Sequence, residues 1–196
     1  MSDASAPDAL RLFLDAGLAA LSAALHEHDA PLRTLDVATT GPDGAARQRN
    51  VVLRGFDRTT LRLRFHSDRR AAKIVEMRRD PRASLLGWDA GRRLQLRLSG
   101  DASLHLDDEL ADAAWNETKE AERRTYGWSE VPGHVLAAPT PFPAAIDAAR
   151  HNFCAVVVQL RELELLELGR DTHRRARFRF KDEDPARPVE ARWLIP

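Results

Sequence analysis

An antiparallel β-barrel or sandwich with a few flanking helices is the fold class this sequence predicts. Short apolar-polar alternating runs recur through 35–106, and turn signals separate them at close spacing, as in up-and-down sheets. No Gly-rich phosphate loop of the Rossmann or Walker kind opens a helix after a strand, so a doubly wound parallel sheet is excluded.

The 196-residue length suits a single domain with a proper core over 7–196, preceded by a polar, disordered stretch at 1–6. Acidic and basic residues balance at 30 each, which argues against nonspecific attraction to nucleic acid or an anionic membrane. Only three of the basic residues are Lys (Lys73, Lys119 and Lys181), so a single Arg carries little information here and a single Lys carries more. The lone Cys154 allows no internal disulfide and lies in the apolar run 153–158, where a buried structural thiol is expected. No leader pattern and no apolar run near ~18 residues is present, so the expectation is a cytoplasmic protein with no membrane span.

The elements follow in order. Pro7-Asp8 opens a stripe of Leu10, Phe13, Leu14, Leu18, Leu21 and Leu25, the spacing of an amphipathic helix ending before Pro31. Strands at 35–39 and 46–54 flank Gly41-Pro42-Asp43-Gly44 and form a hairpin candidate. Leu61, Leu63 and Phe65 alternate with Arg62, Arg64 and His66 in a third strand. Ser67 or Asp68 then caps a helix over about 69–79, which Asp80-Pro81 stops. Strands follow at 83–88 and 92–99, with Gly100 marking a bulge and 102–106 continuing the sheet.

Asp107-Asp108 caps a helix predicted to run to about Tyr126. The stretch 127–145 is too rich in Pro and Gly for regular structure and reads as a long, functional kind of loop. Late strands are predicted at 153–161, 164–168, 178–181 and 191–195.

Parity assigns the candidate site. Arg49, Val51 and Leu53 share one strand face, and Asn50, Val52 and Arg54 share the other. Arg gives bidentate geometry to phosphate, although both arginines also read as solvated strand residues. Ser67 stands where a strand hands over to a helix, with Lys73 within reach of the same anion. Gln95 puts an amide, both donor and acceptor, into a strand of Leu and Arg, where it suits an imide-like ring edge or a plain exposed position. His26, His28, His105, His134, His151 and His173 have no paired acid at catalytic spacing and read as surface residues. No Gly-x-Ser-x-Gly elbow supports hydrolase chemistry.

Taken in order, these residues resemble the pyridoxamine 5′-phosphate oxidase family, the flavin-binding split barrels. The segments that carry the likeness are 49–57, 65–68, Lys73, 80–86, Gln95 with 99–100, and 192–196. The resemblance implies a mainly β, six-stranded antiparallel split barrel with flanking helices. It also implies a homodimer holding flavin mononucleotide (FMN) at the subunit interface. The cofactor-binding residues it implies are Arg49, Asn50, Val51, Val52, Leu53, Arg54, His66, Ser67, Lys73, Gln95 and Arg177, and for a phosphorylated substrate Arg54, His173 and Arg175. It implies no metal, and no catalytic residue is assigned.

Several positions depart from the family pattern. Ala72 stands where a basic residue is usual, with Arg70 a possible substitute. Leu166 stands near a Trp position, His173-Arg174-Arg175 reverses an Arg-x-His, and 114–124 lacks the usual Tyr, Arg and Ser. The implied reaction is hydride transfer from a small-molecule substrate to FMN, with oxygen as reoxidant. A reductase using a nicotinamide or deazaflavin cofactor and a non-catalytic ligand-binding barrel are the alternatives.

Overall fold

The structure is a computed structural model, and it describes residues 6–27, 29–143, 149–181 and 187–196. The stretch at 1–5, His28 and the last residues of the 127–145 loop lie outside them. Ala6, expected to be irregular, already begins helix α1 (Ala6–Ala23). Its stripe of Phe13, Leu14, Leu18 and Leu21 is buried, each side chain contributing about 1.5–3 kcal/mol. Gly17 lets α1 approach the barrel closely, because a Cβ there would lie 2.6 Å from Leu165 Cδ1.

Eight strands follow: β1 (Thr34–Thr40), β2 (Ala46–Asp57), β3 (Arg62–Asp68), β4 (Arg82–Asp89), β5 (Leu94–His105), β6 (Phe153–Leu168), β7 (His173–Arg179) and β8 (Glu190–Leu194). All ladders are antiparallel, and the order is β3-β2-β1-β4-β5-β6-β7-β8. A further ladder from Arg62↔Gln159 to Asp68↔Phe153 joins β3 to β6. Six strands therefore close into a barrel, and β7 and β8 extend the sheet from the far half of β6. Closure leaves no free edge between β3 and β6. The interior holds Leu35, Val37, Val51, Leu53, Leu63, Phe65, Leu96, Leu98, Val156 and Val158, the parity expected for β2 and β3.

Four expectations differ from what forms. The predicted strands at 153–161 and 164–168 are one strand, β6, because the register shift opposite Ser99/Gly100 leaves Arg161 as an extra residue without breaking the ladder. Gly100 is required there, since a Cβ would lie 2.1 Å from the Gln159 carbonyl oxygen. The strand predicted at 178–181 begins earlier, at His173, because it pairs with the end of β6.

Helix α2 (Ala72–Arg79) starts at Ala71 without a side-chain cap. Ser67 and Asp68 are held in β3 by their pairing with Cys154 and Phe153, and the Asp68 carboxylate accepts from the Arg70 backbone N–H at 2.8 Å. The long helix to Tyr126 is instead α3 (Glu109–Glu117), α4 (Glu120–Arg123) and a 3-10 turn at Arg124–Tyr126. Asp108 caps α3 as expected, accepting from Ala111 N–H at 2.9 Å. The break comes at Thr118 and Lys119, both extended, where the Thr118 hydroxyl donates to the Ala114 carbonyl at 2.8 Å. A short helix α5 (Ala149–Asn152) leads into β6. No helix among the described residues is long and apolar enough to cross a membrane.

Candidate functional site

Three places hold the residues singled out by sequence. The first is one end of the barrel, where β1, β2 and β3 meet α2. Arg49, opposite Val37 in the β1–β2 ladder, donates to the Glu76 carboxylate at 2.9 Å and to the Thr39 hydroxyl. Glu76 is 7% exposed and also accepts from Thr39. Lys73, on the preceding turn of α2, reaches the Ser67 hydroxyl with Nζ at 3.1 Å.

Lys73 has no carboxylate partner among the described residues. Burial holds its ammonium below the ordinary lysine range, and the Arg49 charge adds to that. A half-buried ammonium without a carboxylate partner, beside a hydroxyl and a guanidinium, is a place where an anion lowers the energy of the fold. Cys154, opposite Ser67, is buried as expected, and burial pushes its thiol up to about 11, so it stays a thiol.

The second place is a cleft of about 470 Å³ over the outer surface of β1, β2 and β3. Val52, Leu53, Arg54 and His66 line it, together with Arg33, Arg64, Glu117, Thr118, Lys119 and Glu122. The segment between α3 and α4 forms its wall. His66 packs edge-on against Phe153, at 4.8 Å between ring centroids, in a cluster with Trp115 and Tyr126. Burial, then Arg64 and Arg54, push the His66 pKa down to about 3, so the ring is neutral.

The Thr118 hydroxyl proton is committed to Ala114, so Thr118 can only accept from His66 Nδ1, at a long 3.4 Å. Nδ1 then carries the ring proton, and Nε2 presents a lone pair that is buried without a partner. Sequence reasoning found the β2 and β3 side of this cleft but not Arg33, Arg64, Thr118, Lys119 or Glu122. In the sequence, Thr118 and Lys119 look like the interior of a helix.

The third place is the outer face of the sheet. Asn50, Asp36, Leu86, Arg97, Glu164, Arg177 and Arg192 form one cross-strand row. Trp88, Gln95, Leu166, Arg175 and Leu194 form the row beside it. Gln95 is half-buried and makes no hydrogen bond among the described residues. Arg177 approaches Glu190 at 3.6 Å while its Nε is buried without a partner. Arg175 is paired with Glu164 at 2.8 Å, and His173 is exposed at the start of β7.

Asn50 and Arg177 stand at β2 and β7 of the first of these rows, which crosses β1, β4, β5 and β6 between them. The structure therefore brings Arg49, Ser67 and Lys73 together, and Val52, Leu53, Arg54 and His66 together. It leaves Gln95, His173, Arg175 and Arg177 apart from both groups. Val51 points into the barrel core.

Two separate comparisons bear on this geometry. Residues 18–106 match the family model described as the pyridoxamine 5′-phosphate oxidase FMN-binding domain. The match runs from within α1 to just past the end of β5. A pyridoxine/pyridoxamine 5′-phosphate oxidase of Thermobifida fusca is 42% identical over 78 residues, which are 39% of this chain and 34% of that protein. The chain thus matches about a third of the length of that curated relative.

Among solved structures, a pyridoxamine 5′-phosphate oxidase-related, FMN-binding protein of Nostoc punctiforme superposes with a TM-score of 0.77 at 26% identity, covering 100% of both chains. PhzG of Burkholderia lata, solved with tetrahydrophenazine-1-carboxylic acid, superposes with a TM-score of 0.70 at 19% identity over 94% of this chain and 91% of its own, a likeness of fold. The closed six-stranded barrel agrees with the split-barrel family.

The donor set of the barrel end and the cleft fits FMN. Lys73 offers a phosphate an ammonium without a carboxylate partner, beside the Ser67 hydroxyl and the Arg49 guanidinium, whose two Nη atoms already serve Thr39 and Glu76. Val52, Leu53, Arg54 and His66 line the cleft where a ring would lie. Among the described residues no group of His, Cys, Asp and Glu could hold a metal ion.

Proposed function

We propose that this chain is a cytoplasmic, homodimeric FMN-binding flavoprotein with oxidoreductase activity. The observation that carries the proposal is the barrel-end cluster, in which Lys73 is half-buried beside Ser67 and Arg49 without a carboxylate of its own. Arg49, Ser67 and Lys73 hold the phosphate, and the strand 50–54 lies along the ring. When bound, FMN supplies two-electron redox chemistry, taking a hydride from a small-molecule substrate and passing electrons to oxygen.

The chain's own residues set the conditions for that chemistry. Glu76 and Thr39 fix the Arg49 guanidinium, so little side-chain entropy remains to be lost when an anion arrives. His66 stays neutral and keeps an acceptor at the cleft, and Phe153, Trp115 and Tyr126 pack beside it and exclude water. The homodimer reading is supported by the placement of Gln95 on β5 and Arg177 on β7, outside the cleft along β2, where a second copy can bring its own pair to the ring held by β2 of the first. Val52, Leu86 and Trp88 are exposed on that same outer face, an apolar surface a second copy would cover.

An absorption spectrum of the purified protein tests the proposal, followed by sedimentation to read the oligomeric state. A flavin spectrum on a dimer is the expected result. A colourless chain that takes up no added FMN contradicts it.

A further inference from the structure

We propose that Glu117 and Glu122 set the charge preference of the cleft, so that its substrate is a neutral or singly negative molecule rather than a phosphate ester. This deepens the flavoprotein reading and rests on it. Four cations line the cleft, Arg33, Arg54, Arg64 and Lys119, together with these two carboxylates.

A guanidinium grips a phosphate best with both teeth of its fork at once. Both teeth of Arg54 are taken, Nη1 by Glu122 Oε1 at 3.2 Å and Nη2 by Glu122 Oε2 at 3.1 Å. Arg64 Nη2 donates to Glu117 and, at 3.4 Å, to the Arg54 carbonyl. Arg33 Nη1 serves the carbonyls of Leu25 and Ala24, at 3.2 and 3.4 Å, beyond the C-terminal end of α1. Arg33 and Lys119 have no carboxylate partner among the described residues, so theirs are the two charges left uncompensated. His66 adds no positive charge, because its ring is neutral.

A dianion gripped by the Arg54 fork, or by Nη2 of Arg64, must displace a carboxylate to do so, and away from them it has only Arg33 and Lys119. Glu117 is the last residue of α3 and Glu122 lies within α4. The break between them is tied down by the Thr118 hydroxyl to Ala114 and the Thr118 N–H to the Trp115 carbonyl at 3.0 Å. Displaced from their arginines, Glu117 (61% exposed) and Glu122 (38% exposed) turn toward solvent but stay within a side chain's length of the ligand, where they repel it through a screened interaction. A neutral molecule leaves both pairs intact, and a monocarboxylate needs one cation, which Lys119 supplies.

The test is anaerobic equilibrium dialysis of the protein as purified, with pyridoxamine and pyridoxamine 5′-phosphate as probes that differ only in the phosphate. Flavin content is read separately from the visible spectrum. For the wild type, the phosphate is expected to improve binding by no more than about threefold. Glu122→Gln is expected to tighten the phosphorylated probe about fivefold, and Glu117→Gln with Glu122→Gln about tenfold or more, while pyridoxamine stays within about twofold. A wild type that prefers the phosphorylated probe tenfold or more overturns the proposal. So does a double variant that gains nothing for it, including no binding by either protein. A chain without flavin defeats the flavoprotein reading instead, and the probe comparison still decides the charge preference.

Discussion

Replacing Lys73 by Met separates an anion-binding lysine from a structural one. Met keeps the apolar stem and removes the charge. In the ligand-free protein the ammonium is half-buried, 3.1 Å from Ser67 Oγ, and repelled by Arg49. Its pKa is depressed in the folded state, so the unfolded chain binds the proton more readily. The charged lysine therefore costs stability at neutral pH, and that cost disappears as pH rises through the ordinary lysine range. Lys73→Met is expected to stabilise the ligand-free protein by about 1 kcal/mol at pH 7, a rise in Tm of about 2–4 °C.

The same change removes a charge-assisted hydrogen bond to phosphate, worth about 1.5–3 kcal/mol, and so weakens FMN binding about 10- to 150-fold. Fluorescence titration of FMN and thermal unfolding of the same samples read both effects. An FMN affinity within about threefold of the wild type, or a loss of stability in the ligand-free protein, refutes the reasoning.

Further outcomes follow from other places in the structure. His66 is neutral in the fold, with its pKa lowered to about 3 from an ordinary 6.5, so stability is lost as pH falls through that window. At pH 5 the loss is at most about 2 kcal/mol, and His66→Phe should flatten the acid limb of a Tm-against-pH curve. Gly100→Ala forces a Cβ against the Gln159 carbonyl and should cost on the order of 3 kcal/mol in urea unfolding. Trp88→Arg places an unpaired charge on the outer apolar face and should weaken the dimer by about a hundredfold or more in sedimentation.

Much of the barrel was legible because its signals are local. Val51 and Leu53 alternate with Asn50 and Val52 at the period of a strand, and they point where that period says. Gly41 to Gly44 turns the first hairpin, with Gly44 at a φ of +80°. The closing ladder between β3 and β6 was not legible, because it joins residues about 90 positions apart.

The same non-local pairing overrides the local cap at Ser67 and Asp68 and draws both into β3. Half of the cleft was hidden for a related reason. Glu117, Thr118, Lys119 and Glu122 read as one continuous helix, and the Thr118 back-bond that breaks it leaves no periodic trace. Arg49 and Lys73 were visible as residue types, but the Glu76 carboxylate that orients Arg49 was not.

The comparison of FMN with riboflavin binding tests the central claim most directly, because the two ligands differ only in the phosphate assigned to Arg49, Ser67 and Lys73. With three such donors, FMN should bind at least about a hundredfold more tightly than riboflavin in parallel fluorescence titrations. Equal affinities, or binding of neither, would contradict the assignment of the barrel-end cluster as the phosphate site.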